Sequence, residues 1–103
     1  MSDRQSSGKG RFDLIPPRGL AAVALRMELG AEKYAEKGYA DGLPLSLFVD
    51  KSLRHTVQLM AGDDTEDHAA AAACNWLMFL DTASRIDAGL LPRELDDVRG
   101  KYT

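Results

Sequence analysis

Gly62-Asp63-Asp64-Thr65-Glu66-Asp67-His68 gathers four carboxylates and an imidazole within seven residues. Carboxylate oxygens at this density suit a hard cation such as Mg²⁺, which often shares its coordination with substrate phosphates. The same acids also fit a plainer use. Asp64 is a good N-cap, Glu66 and Asp67 complement the dipole of a helix that starts there, and Asp64 with Asp67 resembles a capping box. The two uses are compatible. Seven residues beyond His68, Asn75 interrupts an apolar run. Two helical turns separate them, so they share a face. A buried amide costs a few kcal/mol without a partner. Asn75 therefore predicts either a polar cleft between helices or an internal hydrogen bond.

A second group of candidates precedes this cluster. Asp50 and Arg54 are four residues apart and can pair on one helix face. Alone that is a solvated ion pair; with a ligand, Arg54 can clamp a phosphate bidentately. His55 can be a surface imidazole, a phosphate donor or a base. Near the amino terminus, Lys9 and Arg11 flank Phe12, a pattern that suits either a lid over a nucleotide or a tail with an apolar anchor. The single cysteine, Cys74, excludes an internal disulfide and a cysteine-based zinc site. It lies in an apolar stretch and reads as a buried thiol. With two histidines and no thiolate cluster, the chain does not read as a zinc enzyme. There is no Walker-type loop, dinucleotide glycine fingerprint or serine elbow.

These residues need rods to hold them. The spacing predicts an all-α chain: an antiparallel bundle of three long helices plus a short C-terminal helix, with an extended N-terminal arm. The arm covers residues 1–16 and a single helical domain covers 17–103. The first helix starts near Pro17 and stops at Gly38, with Leu20, Val23, Ala24, Met27, Ala31 and Tyr34 as its apolar stripe. The interior Gly30 predicts close approach of another backbone or a ligand. The second runs from Pro44 to Gly62 with Val49, Leu53, Val57 and Met60 on one face. The third starts near Asp64 and reaches about Ala88, where Gly89 and Pro92 end it. A short helix is expected over 92–99. The third helix is apolar nearly all round from Ala69 to Leu80, more than a lone three-helix monomer can cover, so a homodimer or larger is expected. Its alanines suit close helix approach.

The 103 residues bound one small domain. A net charge of −3 gives no general pull toward nucleic acid, although the arm is locally basic. No secretory signal is visible, and no apolar run is long enough to cross a bilayer. A reducing cytoplasm is the expected compartment.

The combined motifs resemble a known family. Lys9-Gly-Arg11-Phe-Asp13-Leu-Ile-Pro-Pro17, then Gly30-Ala-Glu-Lys33-Tyr34, then Leu53-Arg54-His55 with Gly62-Asp63, then His68 with Ala72-Ala-Cys-Asn75, look like the phage-associated dATP/dGTP diphosphohydrolase (MazZ-like) N-terminal domain. That family is related to the all-α MazG-like nucleoside triphosphate pyrophosphohydrolases. The resemblance implies a helical dimer or tetramer that converts a deoxypurine triphosphate to monophosphate and pyrophosphate with Mg²⁺ or Mn²⁺. It implies that Arg54 and His55 face the phosphates and that Asp63, Asp64 and His68 line the metal site, helped by Asp50 and Asp67. Lys33 and Tyr34, with Lys9 or Arg11, would position the nucleotide, and Asn75 would read the base or orient a ligand. The chain departs from the family pattern at Gly38, Tyr39, Ala71 and Ala72. Ala71 and Ala72 motivate one alternative, a non-catalytic nucleotide-sensing module; the alanine-rich third helix and the arm suit another, a helical adaptor.

Overall fold

The structure, a computed structural model, describes residues 8–33 and 38–101, with the side chain of Lys33 also outside the description. Among the described residues every regular element is helical and no strand is present. Three long helices carry the fold: α1 (Pro17–Lys33), α2 (Leu45–Met60) and α3 (His68–Asp87). Short 3-10 turns occupy Phe12–Leu14, Gly38–Asp41 and Arg93–Leu95. No described helix is long and apolar enough to cross a membrane.

The ends of these helices follow local chemistry. Pro17 opens α1, where its missing N–H would be unpaired anyway. Pro44 sits at the N-cap of α2 and offers no side-chain acceptor. Asp97, from the far end of the chain, takes that role by accepting from Ser46 N at 2.9 Å and Ser46 Oγ at 2.6 Å. At the other end of α2, Gly62 adopts φ 85°, and Asp63 N bonds back to Gln58 O at 3.1 Å. This is a Schellman closure, which glycine makes without a Cβ penalty.

Helix α3 begins at His68 and not near Asp64. Asp63 Oδ1 accepts from Thr65 N at 2.9 Å and Thr65 Oγ1 at 2.7 Å. That local turn competes with a helical start. The cap is Asp67, whose Oδ1 accepts from Ala70 N at 3.0 Å. The expected helix over 92–99 is reduced to a single turn for a similar reason. Asp96 Oδ1 accepts from Val98 N at 3.3 Å and Arg99 N at 3.0 Å, holding the chain in a loop.

The order of contacts gives the topology. His55 meets His68, Ser52 Oγ meets Ala72 O at 3.3 Å, and Leu45 and Phe48 pack with Ala83 and Ile86. Numbers rise on one helix as they fall on the other, so α2 and α3 are antiparallel. Arg26 pairs with Glu66, and Val23 O meets Cys74 Sγ, so α1 also runs antiparallel to α3. Helix α3 is thus the central rod with α1 and α2 docked on it.

This pairing has an apolar end and a polar end. Leu45, Phe48, Ala83 and Ile86 form the buried core, ringed by Tyr39, Leu43, Met78, Phe79, Leu91, Leu95 and Val98. The C-terminal segment is clipped over it by Arg99, which grips both oxygens of Asp87 at 2.8 and 2.9 Å. At the opposite end the buried groups are small or polar: Ser52, His68, Ala70, Ala71, Cys74 and Asn75.

Three expectations about packing are corrected. The face of α2 that bears Leu53, Val57 and Met60 is exposed, at 56%, 60% and 75%; the buried face is Leu45, Phe48 and Ser52. Phe12–Leu14 of the arm form a 3-10 turn, and Phe12, Leu14 and Ile15 are exposed among the described residues. A Cβ built on Gly30 meets nothing within 4 Å, so among the described residues no backbone of the same chain crowds it, which leaves the ligand half of that expectation standing.

Candidate functional site

The polar end of the α2–α3 pair brings two imidazoles together. His55 projects from the penultimate turn of α2, and His68 is the first residue of α3. Their Nδ1 atoms lie 2.9 Å apart, with ring centroids at 5.1 Å. Two facing ring nitrogens at this distance require that one donate and the other accept, so they hold one proton between them. His68 is 1% exposed, and its other nitrogen, Nε2, has no hydrogen-bond partner. That nitrogen faces Asp63 Oδ2 at 3.4 Å. Asp63 is itself oriented by its two bonds from Thr65, which hold its carboxyl below the ordinary carboxylate range. Burial pushes the His55 imidazole down; the Glu66 carboxylate opposes this, and the neighbouring His68, Arg26 and Arg54 act with burial. Burial therefore favours the neutral, lone-pair-bearing form of His55.

Glu66 and Arg26 complete the cluster. Arg26 reaches from α1 and donates to Glu66 Oε1 at 2.9 Å. One donor atom from each of His55, Glu66 and His68 lies within 4.8 Å of the other two, and this is the sole such trio of His, Cys or acidic groups among the described residues. The three grade from buried His68 through half-buried His55 to exposed Glu66, so the cluster opens to solvent on one side.

Of the residues expected from sequence, His55, Asp63 and His68 converge here. Others do not. Asp50 and Arg54 form an exposed ion pair with each other on α2. Asp64 is exposed and outside the trio, and Asp67 is the cap of α3. Asn75 is buried and donates from Nδ2 to Ala71 O at 2.9 Å, an internal bond within α3. Arg11 is held by both oxygens of Asp13 at 2.8 Å, and Lys9 is exposed in the arm. Tyr34 and the side chain of Lys33 lie outside the described residues. Cys74 is buried with Sγ 3.4 Å from Val23 O, and burial pushes its thiol pKa up, away from nucleophilic use.

Sequence reasoning missed Arg26, and it counted Glu66 in the acidic cluster without naming it among the metal ligands. The available signal for Arg26 was a cation three residues after Val23, inside an otherwise apolar helix face. The loop geometry that turns Glu66 toward α1 had no signal in residue spacing.

Comparison with known proteins bears on this region directly. Residues 1–89 match the profile of a family described as dATP/dGTP diphosphohydrolase, N-terminal. A protein of Salmonella phage PMBT28 named dATP/dGTP diphosphohydrolase is 34% identical over 77 residues, covering 71% of this chain. The match spans 26% of that relative, about a quarter of its length. No solved structure matches. The family match over residues 1–89 contains every residue of the cluster.

Proposed function

Because the chain belongs to the dATP/dGTP diphosphohydrolase N-terminal family, we propose that it acts in hydrolysing a deoxypurine triphosphate to the monophosphate and pyrophosphate, assisted by Mg²⁺ or Mn²⁺. The observation that carries this reading is the convergence of His55, His68, Asp63, Glu66 and Arg26 from three separate helices and a loop. Hydrolysis of the α–β anhydride adds water at the α-phosphorus and releases pyrophosphate. A divalent cation, when bound, neutralises phosphate charge and lowers the pKa of a coordinated water.

The carboxylates at 50, 63, 64 and 67 were expected to hold that cation, yet no three of them come together among the described residues. The residues that do fit are His55, Glu66 and His68. The chain's own groups then divide the work. His55, Glu66 and His68 would hold the cation, which when bound would lower the pKa of the attacking water. Arg26, at the cluster, and Arg54, one residue from His55 on the surface, offset the charge that builds on the departing pyrophosphate. Asp63 fixes the orientation of His68.

The test is pyrophosphate release by the purified chain from a panel of dNTPs with Mg²⁺ or Mn²⁺. Release from dATP or dGTP that falls at least about 100-fold in His55→Gln is expected. No turnover with any dNTP removes the enzymatic reading. In that case a non-catalytic nucleotide module is the surviving alternative. It is favoured by the Arg26–Glu66 bond, which fills part of the cluster. It predicts stabilisation by a purine nucleotide of about 2.7 kcal/mol at 100 times Kd.

We also propose that the working form is a homodimer or tetramer. Leu53, Val57 and Met60 of α2 and Trp76, Leu77 and Leu80 of α3 are all exposed. Contiguous apolar faces of this kind are disfavoured on monomers.

A further inference from the structure

We propose that His55, Glu66 and His68 form a seat for a borderline divalent transition ion, Mn²⁺ through Zn²⁺, and that Asp63 orients it from behind. As the location of the cation in the reaction above, the proposal rests on that reading; as a metal site, it stands on geometry alone.

Four observations support it. The Nδ1 atoms of His55 and His68 point at one another from 2.9 Å, so both lone pairs are aimed into one small space. A shared ion relieves the need for one of them to carry a proton. Second, Glu66 supplies a third donor within 4.8 Å, and its Oε1 is engaged by Arg26, leaving Oε2 for coordination. Two imidazoles and a glutamate make a three-ligand set of the kind that catalytic zinc sites use, with a further position for water.

Third, His68 Nε2 is buried and lacks a hydrogen-bond partner, yet faces Asp63 Oδ2 at 3.4 Å. Ligating histidines almost always direct their second nitrogen at a carboxylate or carbonyl, which sets the tautomer and raises ligand basicity. With Nδ1 on the ion, Nε2 carries the proton toward Asp63, and the orphaned nitrogen is accounted for. Asp63 is already locked by Thr65. Fourth, the formal charges of Asp63 and Glu66 against Arg26 leave the neutral-imidazole cluster at a net of minus one, and a divalent ion turns it net positive. A positive seat at an open edge attracts an anionic phosphate.

The ligand chemistry also sets the ion. Imidazole nitrogen favours the later first-row ions over Mg²⁺, which prefers an all-oxygen shell. The site therefore binds Mn²⁺, Co²⁺ and Zn²⁺ with rising strength toward Zn²⁺, and Mg²⁺ far more weakly.

The experiment uses the full chain after chelator dialysis. Co²⁺ is titrated while its visible ligand-field bands are followed, and calorimetry compares Mn²⁺, Zn²⁺ and Mg²⁺. A single saturable Co²⁺ per chain is expected. His55→Gln and Glu66→Gln abolish the bands, and Asp63→Asn weakens binding about 10–100-fold. Circular dichroism checks that each variant keeps its helices. His68 is too buried for its replacement to be informative alone, so these three variants carry the test. No binding up to millimolar Co²⁺, or undiminished binding in His55→Gln, overturns the proposal. So does loss of binding in Asp50→Asn or Asp64→Asn with His55→Gln intact. Stoichiometric Co²⁺ binding without pyrophosphate release keeps the seat and removes the hydrolase. Pyrophosphate release whose cation dependence is unchanged in His55→Gln and Asp63→Asn keeps the hydrolase and removes the seat.

Discussion

A buried imidazole with an unpaired nitrogen is expensive to maintain, because low polarity around it magnifies the loss of a hydrogen bond. His68 is such a group, at the start of a helix and against a second histidine. Asn75, two turns along, presents the contrasting case. Its amide is satisfied within its own helix by Ala71. Asn75→Ala is expected to cost about 1 kcal/mol in urea unfolding, the net worth of an ordinary internal hydrogen bond. It is also expected to leave discrimination between purine and pyrimidine nucleotides intact. Loss of that discrimination in a variant of unchanged stability would show that the amide meets the base. The sequence pointed to both residues on sound grounds, since Asn75 is polar in an apolar run and His68 closes a cluster of acids. Periodicity alone could not separate them, because a seven-residue spacing says that two side chains share a face and nothing about which one finds a partner nearby.

At the scale of elements, the ends of α2 hold most of what spacing could not show. Gly62 was readable as a stop, because a positive φ after an amphipathic run has a residue signature. Asp97 was not, since it caps a helix 51 residues away in sequence. Replacing it by Ala leaves Ser46 N–H without its acceptor and is expected to cost about 1 kcal/mol. The bonds from Ser46 hold the Asp97 carboxyl below the usual carboxylate range. A lowered folded pKa means the unfolded chain binds the proton more readily. The contribution is therefore fully present above about pH 4 and is lost as pH falls through the folded value. The melting-temperature gap between wild type and Asp97→Asn should be constant near neutrality and close below pH 4. A gap that widens in acid would refute the capping role.

The three-helix, strand-free character of the described residues was legible because the apolar period near 3.6 persists through each long segment. The buried face of α2 was not. Its stripe at Leu53, Val57 and Met60 satisfies the helical period as well as the true core positions Leu45 and Phe48 do. Two hydrophobic faces on one helix leave periodicity without a preference, and only the packing of α3 decides.

For the whole molecule, that second face is the informative one. The Cα radius of gyration is 15.7 Å, against about 13 Å for a compact chain of this size. One chain leaves apolar area on α2 and α3 uncovered. Light scattering should report a dimer or tetramer at micromolar concentration. Val57→Glu with Leu80→Glu should yield a monomer that keeps its helical circular dichroism, as both side chains are solvent-facing within one chain. A wild-type protein that runs as a monomer at all concentrations would contradict the assembly.

The greasy contacts of Leu45, Phe48 and Ile86 sit at the opposite tip of the α2–α3 rod pair from His55 and His68. The two tips share no side chain, so they answer to different selective demands. Substitutions that raise thermal endurance can accumulate at one tip while the polar cluster at the other stays as it is. The histidine tip, stitched by a few polar bonds and small residues, can also fray and reclose while the rest of the rod stays folded.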